Sequence, residues 1–394
     1  MLYTKTGRLY DLSIVPSLVA SLEHWEPGPN AIYYFHYYYD LHQGIKILDC
    51  LEDSQWEHLK TDHSAKFLYE NCNETFTWTL SHQIKSLVDQ KNISPTKIFI
   101  IVMDEVHKTF LDNGLTQLGI VGVTIGVYNK LMNQTKIPDS FPITEKKFSA
   151  LSRNYRAWRL HLYAELAKRD LLKNFRYSFY NIFPYGEVKY YSQETMLEDL
   201  VKNGFEVNDT VSEWLSAVPY TLDATDNVLN KWGDVTYDAV LSADFHLLIE
   251  THFDFSYYVP GVKEYKGNPR NLAPSSITEK TNKPIACCKP FIAFSTPYFL
   301  EDVHQLGFET FSPYIDERYD TETDNQKRLN MIVDEIERIT NLSADEYSTL
   351  VENCHSIAYR NQQKLLSKKD NLQYNEKFNF LRDYFEPQSN IQIL

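Results

Sequence analysis

The 394-residue sequence lacks the features by which several classes of protein are recognised. Its five cysteines show no metal-ligand spacing and no disulfide framework, so we expect free thiols in a reducing compartment. No apolar run reaches the roughly 18–20 residues of a membrane span, and the first residues contain no apolar signal-peptide core. We therefore expect a cytoplasmic protein without a membrane span.

Basic residues are also outnumbered by acidic residues, and the formal net charge is −14. Proteins that bind nucleic acid tightly usually carry a basic surface, since phosphate contacts dominate that affinity. The composition therefore argues against non-specific DNA binding, although a local basic site remains compatible with it. Glycine-rich phosphate loops, zinc-protease motifs and the serine-hydrolase motif are absent as well.

The first third of the chain alternates between strand-like and helix-like segments. Aromatic and aliphatic runs at 31–40, 97–104 and 122–129 predict strands, and the pattern of 75–92 predicts a helix. Continuous apolar strands that alternate with helices are typical of a parallel sheet covered on both faces. The proline-containing segment 133–147 then predicts a domain boundary.

A second unit of the same kind follows. Strands are expected at 148–153, within 239–251 and at 289–294, and Asn154 is a candidate N-cap for a helix over 154–172. We predict an α/β protein of two Rossmann-like domains facing across a cleft, 1–145 and 146–374, with a C-terminal helical tail, 375–394, that crosses back to the first. The other predicted helices lie at 298–307, 323–340, 343–367 and 375–386.

Basic residues are concentrated between 146 and 176, where nine are opposed by only two acidic residues. Arg153 ends a predicted strand, and Arg156 and Arg159 fall three apart at the start of the next helix, so they share a face. A helix N-terminus at the carboxyl edge of an open sheet favours an anion, and added arginines suit a diphosphate. The alternative is a solvated basic helix face.

The segment 275–294 carries the second signal. Ser276 and Glu279 fit a capping box, but a glutamate at a helix start can equally accept hydrogen bonds from both ribose hydroxyls. Lys280 and Lys283 are then placed to neutralise attached phosphates. Pro284 is expected to kink or restart this helix, an irregularity that favours a binding site.

These motifs resemble the C-terminal signature of GT-B glycosyltransferases from bacteriophages and marine bacteria. The matching stretches are Thr-Glu-Lys-Thr at 278–281, Lys-Pro-Ile at 283–285, Pro-Phe-Ile at 290–292, Gly-Phe-Glu-Thr-Phe at 307–311 and Asp-Glu-Arg-Tyr-Asp at 316–320. Upstream, Arg156 and Arg159 match an Arg-x-x-Arg segment, and 246–254 matches a strand that ends in Glu-Thr. The resemblance covers about 148–365, with Asn282 and Cys288 as departures.

The resemblance implies a donor site for a nucleoside-diphosphate sugar, most simply a UDP-sugar, with no metal and no tightly bound cofactor. Glu279 would contact the ribose, and Glu250 would lie near the sugar. Arg156, Arg159, Lys280 and Lys283 would contact the diphosphate. Arg153 and Thr281 complete the predicted donor-binding set.

An inverting transfer also needs a base that takes the proton of the acceptor hydroxyl. Asp104 is the first candidate, because it directly follows the apolar strand of 97–104. Asp40 and His42, after the aromatic run at 31–40, are the next candidates. Each of the three is alternatively a cap for the helix or turn after its strand.

We therefore expect a glycosyltransferase that moves a hexose or pentose to a hydroxyl acceptor. The acceptor is either a glycan or a hydroxymethylated pyrimidine base of phage DNA, in which case the protein would work in the host cytoplasm. A non-catalytic nucleotide- or glycan-binding protein is the alternative from another class. We predict that the Asp316–Asp320 stretch is a structural turn and that Cys287 and Cys288 are core residues.

Overall fold

The computed structural model describes residues 2–3, 32–36, 47–71, 87–102, 116–119, 143–152, 155–183, 189–220, 237–254 and 279–369. The chain divides into two compact units, one of 1–126, 256–274 and 370–394 and one of 127–255 and 275–369. The predicted strand at 122–129 and the predicted helix at 375–386 lie outside the described residues, as do most residues around the predicted domain boundaries.

The first unit contains a parallel sheet of five strands, β1 (Leu2–Tyr3), β2 (Ile32–His36), β3 (Lys66–Asn71), β4 (Ile98–Val102) and β5 (Thr116–Gly119). The parallel α/β class is therefore as predicted. The strands follow one another in chain order across the sheet. In its described part this sheet has no point at which the order reverses, which differs from the expected Rossmann-like order.

Helix α1 (Asp53–Thr61) packs beside this sheet through Trp56, whose ring centroid lies 5.6 Å from that of Phe67. Its C-terminus is held by Lys97, a buried lysine at the start of β4. The Lys97 ammonium donates to the carbonyls of Leu59, Lys60 and Asp62 at 2.5, 2.9 and 2.8 Å. A cation on the last carbonyls of a helix complements the helix dipole, so Lys97 fastens α1 to the sheet.

The second unit is built on a parallel sheet of β6 (Lys146–Ser152), β7 (Phe175–Phe179), β10 (Ala243–Ile249) and β11 (Phe291–Phe294). Their order across the sheet is β11-β10-β6-β7, so the chain leaves β6 toward β7 and later returns to its other side with β10. Every residue of β10 is buried, and five of its seven residues are apolar, as expected for a strand covered on both faces. A short antiparallel pair, β8 (Ile182–Phe183) and β9 (Lys189–Tyr190), follows β7.

Helices cover both faces of this second sheet. Trp158 of the first helix contacts Phe253, which stacks on Phe294 of β11, whereas Tyr347 of the last helix donates to Asp244 on the opposite face. The described helices are α2 (Ala157–Lys168), α3 (Gln193–Lys202), α4 (Asp209–Ser216), α5 (Tyr237–Leu241), α6 (Glu279–Ala286), α7 (Phe299–Gln305), α8 (Asn325–Thr340) and α9 (Ala344–Lys369).

One local prediction is wrong, and a second is wrong in part. Helix α2 begins at Ala157 rather than at Asn154, because the Tyr155 amide donates to the Ile182 carbonyl at 2.8 Å and Arg156 is still extended, at φ −147° and ψ 140°. Helix α6 does not restart at Pro284, which lies inside it. With only eight residues, α6 loses little from the one hydrogen bond that proline cannot donate.

Two other predictions are confirmed. Cys287 and Cys288 are buried free thiols, and burial raises the pKa of each to about 12. The Asp316–Asp320 stretch is structural. Asp316 caps a 3-10 helix at Glu317–Thr321, and the Asp320 carboxylate accepts the Leu300 amide of α7 at 2.9 Å.

Candidate functional site

The candidate site lies at the carboxyl edge of the second sheet, between the ends of β6 and β10. These two strands are neighbours, yet the chain leaves them toward opposite sides of the sheet. In open α/β sheets, ligands bind outside the carboxyl ends of the strands at such a reversal of order. Ser152 is the last residue of β6, and Glu250 is the first residue after β10.

Helix α2 starts at this edge without a capping side chain. Its N-cap is Arg156, which makes no side-chain cap hydrogen bond, and its first turn contains no acidic residue. Helices α3, α4 and α8 instead begin with the acceptors Ser192, Asn208 and Asp324, each bonded to an amide of its own helix. The positive end of the α2 dipole is therefore available to an external anion.

Glu250 is the centre of the site, and its side chain is completely buried, at 0% exposure. One carboxylate oxygen accepts the Thr281 hydroxyl at 2.7 Å, and the other accepts the Thr251 amide at 3.2 Å. The Lys280 ammonium lies 4.0 Å from the second oxygen, and Arg159 donates to the Glu250 backbone carbonyl at 3.1 Å. Residues of α2, of α6 and of the loop after β10 thus converge on the buried Glu250.

Three positive charges converge beside Glu250. Burial and, to a smaller extent, the charges of Arg156, Arg159 and Lys280 together lower the pKa of His252 to about 3. The imidazole of His252 is therefore neutral at physiological pH, although it is two residues from Glu250. A neutral histidine adds no positive charge of its own, and a site that holds three cations suits an anionic ligand.

The structure brings together five residues of the predicted donor site: Arg156, Arg159, Glu250, Lys280 and Thr281. Lys283 lies one turn further along α6, where its charge contributes to lowering the pKa of His246, four residues before Glu250. Glu279 is the first residue of α6, but its side chain lies outside the described part of the chain. Arg153 and all three candidate bases, Asp104, Asp40 and His42, also lie outside it.

Sequence reasoning missed three residues of this site, Ser152, Thr251 and His252. The Ser152 hydroxyl is buried at 2% exposure and has no hydrogen-bond partner within the described ranges. The Lys280 ammonium donates to the Thr251 hydroxyl at 3.2 Å. Position in the sequence was the available signal, because each of the three lies within three residues of the end of a strand at the ligand-binding edge.

The loop after β10 is held rigidly in place. The Arg328 guanidinium lies 4.1 Å from the centre of the Phe253 ring and donates to the Phe253 carbonyl. Trp158 donates to the Asp254 carboxylate at 2.7 Å. These contacts, together with the Thr281 bond to Glu250, also give the cluster a structural role, because they join β10 to helices on both faces. A fixed loop of this kind preorganises a binding site.

No group of three or more His, Cys, Asp or Glu side chains within the described ranges is arranged to hold a metal ion. Among the helices described, none is long and apolar enough to cross a membrane. No protein family matches the sequence, and no curated protein or solved structure is significantly similar to it. The function is therefore argued from the geometry of the site.

Proposed function

We propose that the protein is a glycosyltransferase whose nucleoside-diphosphate sugar binds at the carboxyl edge of the second sheet. The observation that carries this proposal is the meeting of cations at the reversal of strand order: Arg159 of α2 and Lys280 of α6 both contact Glu250, and Arg156 is the N-cap of α2. The motif resemblance to GT-B glycosyltransferases supports the same interpretation.

The charge of the cluster suits a diphosphate. Among the charged side chains Arg156, Arg159, Lys280 and Glu250, positive charge exceeds negative charge by two. Guanidinium groups bind phosphate oxygens with two parallel hydrogen bonds, and the amides of a helix N-terminus add further donors. In sugar transfer the diphosphate is the leaving group, so the same donors stabilise the negative charge that develops on it.

Transfer also requires an acceptor hydroxyl and, for inversion, a base. We propose Asp104 as the base, with Asp40 and His42 as the next candidates, and either a glycan or a hydroxymethylated DNA base as the acceptor. A non-catalytic nucleotide-binding protein would keep the cationic site but show no turnover. Measuring sugar transfer from UDP-sugars to both acceptor classes separates these alternatives.

The donor site is tested first by thermal shift with UDP, GDP, CDP, ADP and dTDP. A ligand at 100 times its dissociation constant stabilises the folded protein by about 2.7 kcal/mol. We expect one diphosphate to raise the melting temperature of the wild type, and Arg156→Gln and Lys280→Gln to weaken that effect at least tenfold in ligand concentration. Arg176→Gln is the matched control, because Arg176 is exposed on the edge strand β7.

Two results would contradict the donor site. The first is that no diphosphate shifts the melting temperature of the wild type. The second is that a shift is seen but is weakened equally by Arg176→Gln and Lys280→Gln, because the nucleotide would then bind through general charge. A specific shift without transfer to any acceptor would favour the non-catalytic alternative.

A further inference from the structure

The turn after β11 contains two buried hydroxyl groups that have no hydrogen-bond partner within the described part of the chain. They belong to Ser295 and Thr296, which are 3% and 1% exposed. Burying a hydroxyl without a partner costs free energy, so most buried polar groups in proteins are hydrogen-bonded. Ser295 and Thr296 are adjacent and follow a strand at the carboxyl edge of the sheet, where a ligand would supply partners for both hydroxyls.

The strand register places these hydroxyls beside the cationic site. Ile249 of β10 pairs with Phe294 of β11, and the Glu250 amide donates to the Phe294 carbonyl at 3.0 Å. Ser295 therefore follows β11 at the same level at which Glu250 follows β10. The two hydroxyls lie at the carboxyl edge, one strand further from β6 than Glu250.

The turn that carries the two hydroxyls is held in place by contacts with Asp320. Tyr298 has a φ of 67°, which is unfavourable for a bulky side chain and persists only when the surroundings enforce it. The enforcing residue is Asp320. Its carbonyl accepts the Tyr298 amide at 2.6 Å, and its carboxylate accepts the Leu300 amide at the start of α7.

We propose that Ser295 and Thr296 bind the uncharged sugar of the donor, while Arg156, Arg159 and Lys280 bind its diphosphate. This inference rests on the proposed function. Hydroxyl side chains both donate and accept hydrogen bonds, which matches the hydroxyls of a sugar. Phosphates bind more strongly to cations than to hydroxyls, and the cations lie near the end of β10 and at the start of α2. The ligand therefore lies along the edge, with its sugar above β11.

The test compares a nucleotide with its sugar conjugates. Dissociation constants of UDP, UDP-glucose, UDP-galactose and UDP-N-acetylglucosamine are measured by calorimetry for the wild type, Ser295→Ala and Thr296→Val. We expect each variant to bind its preferred UDP-sugar roughly 2- to 10-fold more weakly, as for the loss of one uncharged hydrogen bond, with the affinity for UDP unchanged. Thr349→Val and Ser356→Ala are matched controls, because both hydroxyls are exposed on α9 and bond to its own carbonyls.

The stability of the ligand-free variants separates a binding role from a structural one. Because neither hydroxyl has a partner in the described structure, Ser295→Ala and Thr296→Val should melt at or above the wild-type temperature without ligand. A lower melting temperature, an unchanged ratio of UDP-sugar to UDP affinity, or equal weakening of both ligands would overturn the inference. If a nucleotide other than UDP raises the melting temperature, its sugar conjugates replace those of UDP in this comparison. If the wild type binds none of the five diphosphates or their sugar conjugates, the proposed function is refuted, and this inference with it.

Discussion

Replacing Thr281 by valine removes one hydroxyl from the buried Glu250 carboxylate and keeps the shape of the side chain. The bond is 2.7 Å long, and the Glu250 side chain has no exposure to water that could replace it. Hydrogen bonds to charged groups contribute about 1.5–3 kcal/mol, and a buried group left without its partner adds its own desolvation cost. We expect Thr281→Val to lower the opening free energy of α6 by about 2–3 kcal/mol.

The appropriate measurement is native-state hydrogen exchange of peptides that cover α6. The chain has two compact units, and a single melting curve does not assign a loss of stability to one of them. Thr281→Ser is the matched control, because it keeps the hydroxyl and loses one methyl group, worth about 0.8 kcal/mol. If Thr281→Val exchanges no faster than Thr281→Ser, the bond to Glu250 does not stabilise this edge, and the proposed preorganisation of the site is wrong.

Two further predictions concern stability. Lys97→Met should destabilise the first unit by about 3 kcal/mol, because three backbone carbonyls lose their common donor. The loss is measured as faster hydrogen exchange of the α1 amides. Unchanged hydrogen exchange in α1 would show that the lysine does not hold the helix. Burial raises the pKa of Glu317 to about 7 from its ordinary 4.5, so between these values the folded protein retains a proton that the unfolded chain releases. The contribution of Glu317 to stability should therefore fall by about 3 kcal/mol as pH rises through this window. In urea titrations, the unfolding free energy of Glu317→Gln should fall less, or rise more, between pH 5 and pH 8 than that of the wild type, whereas an identical pH slope in both proteins would refute the prediction.

Much of the local structure was predictable from hydrophobic patterning. The strand expected at 148–153 is β6, and the helix expected at 323–340 is α8 (Asn325–Thr340). The apolar run inside 239–251 becomes β10, which is central because its residues tolerate burial on both faces. The error at the start of α2 falls at a helix end, where a single tertiary bond decides the outcome. Because the Tyr155 amide is hydrogen-bonded to β8, α2 begins three residues later than predicted.

The candidate site was predictable in part. The sequence indicated the edge at which Arg156, Arg159, Glu250 and Lys280 lie, because helix starts and strand ends of a parallel sheet meet there. It gave no sign that Thr281 would bond to Glu250, which is 31 residues earlier in the chain. That contact depends on how α6 packs against β10.

The sequence by itself determined the α/β class, the apolar strands and the local excess of positive charge, since periodicity and composition are properties of neighbouring residues. Only the tertiary structure decided which of these residues meet. The strand order brought β6 beside β10, and the register of β10 and β11 set Ser295 level with Glu250. Burial then made His252 neutral among cations, because the charged form of a side chain loses its hydration in the interior.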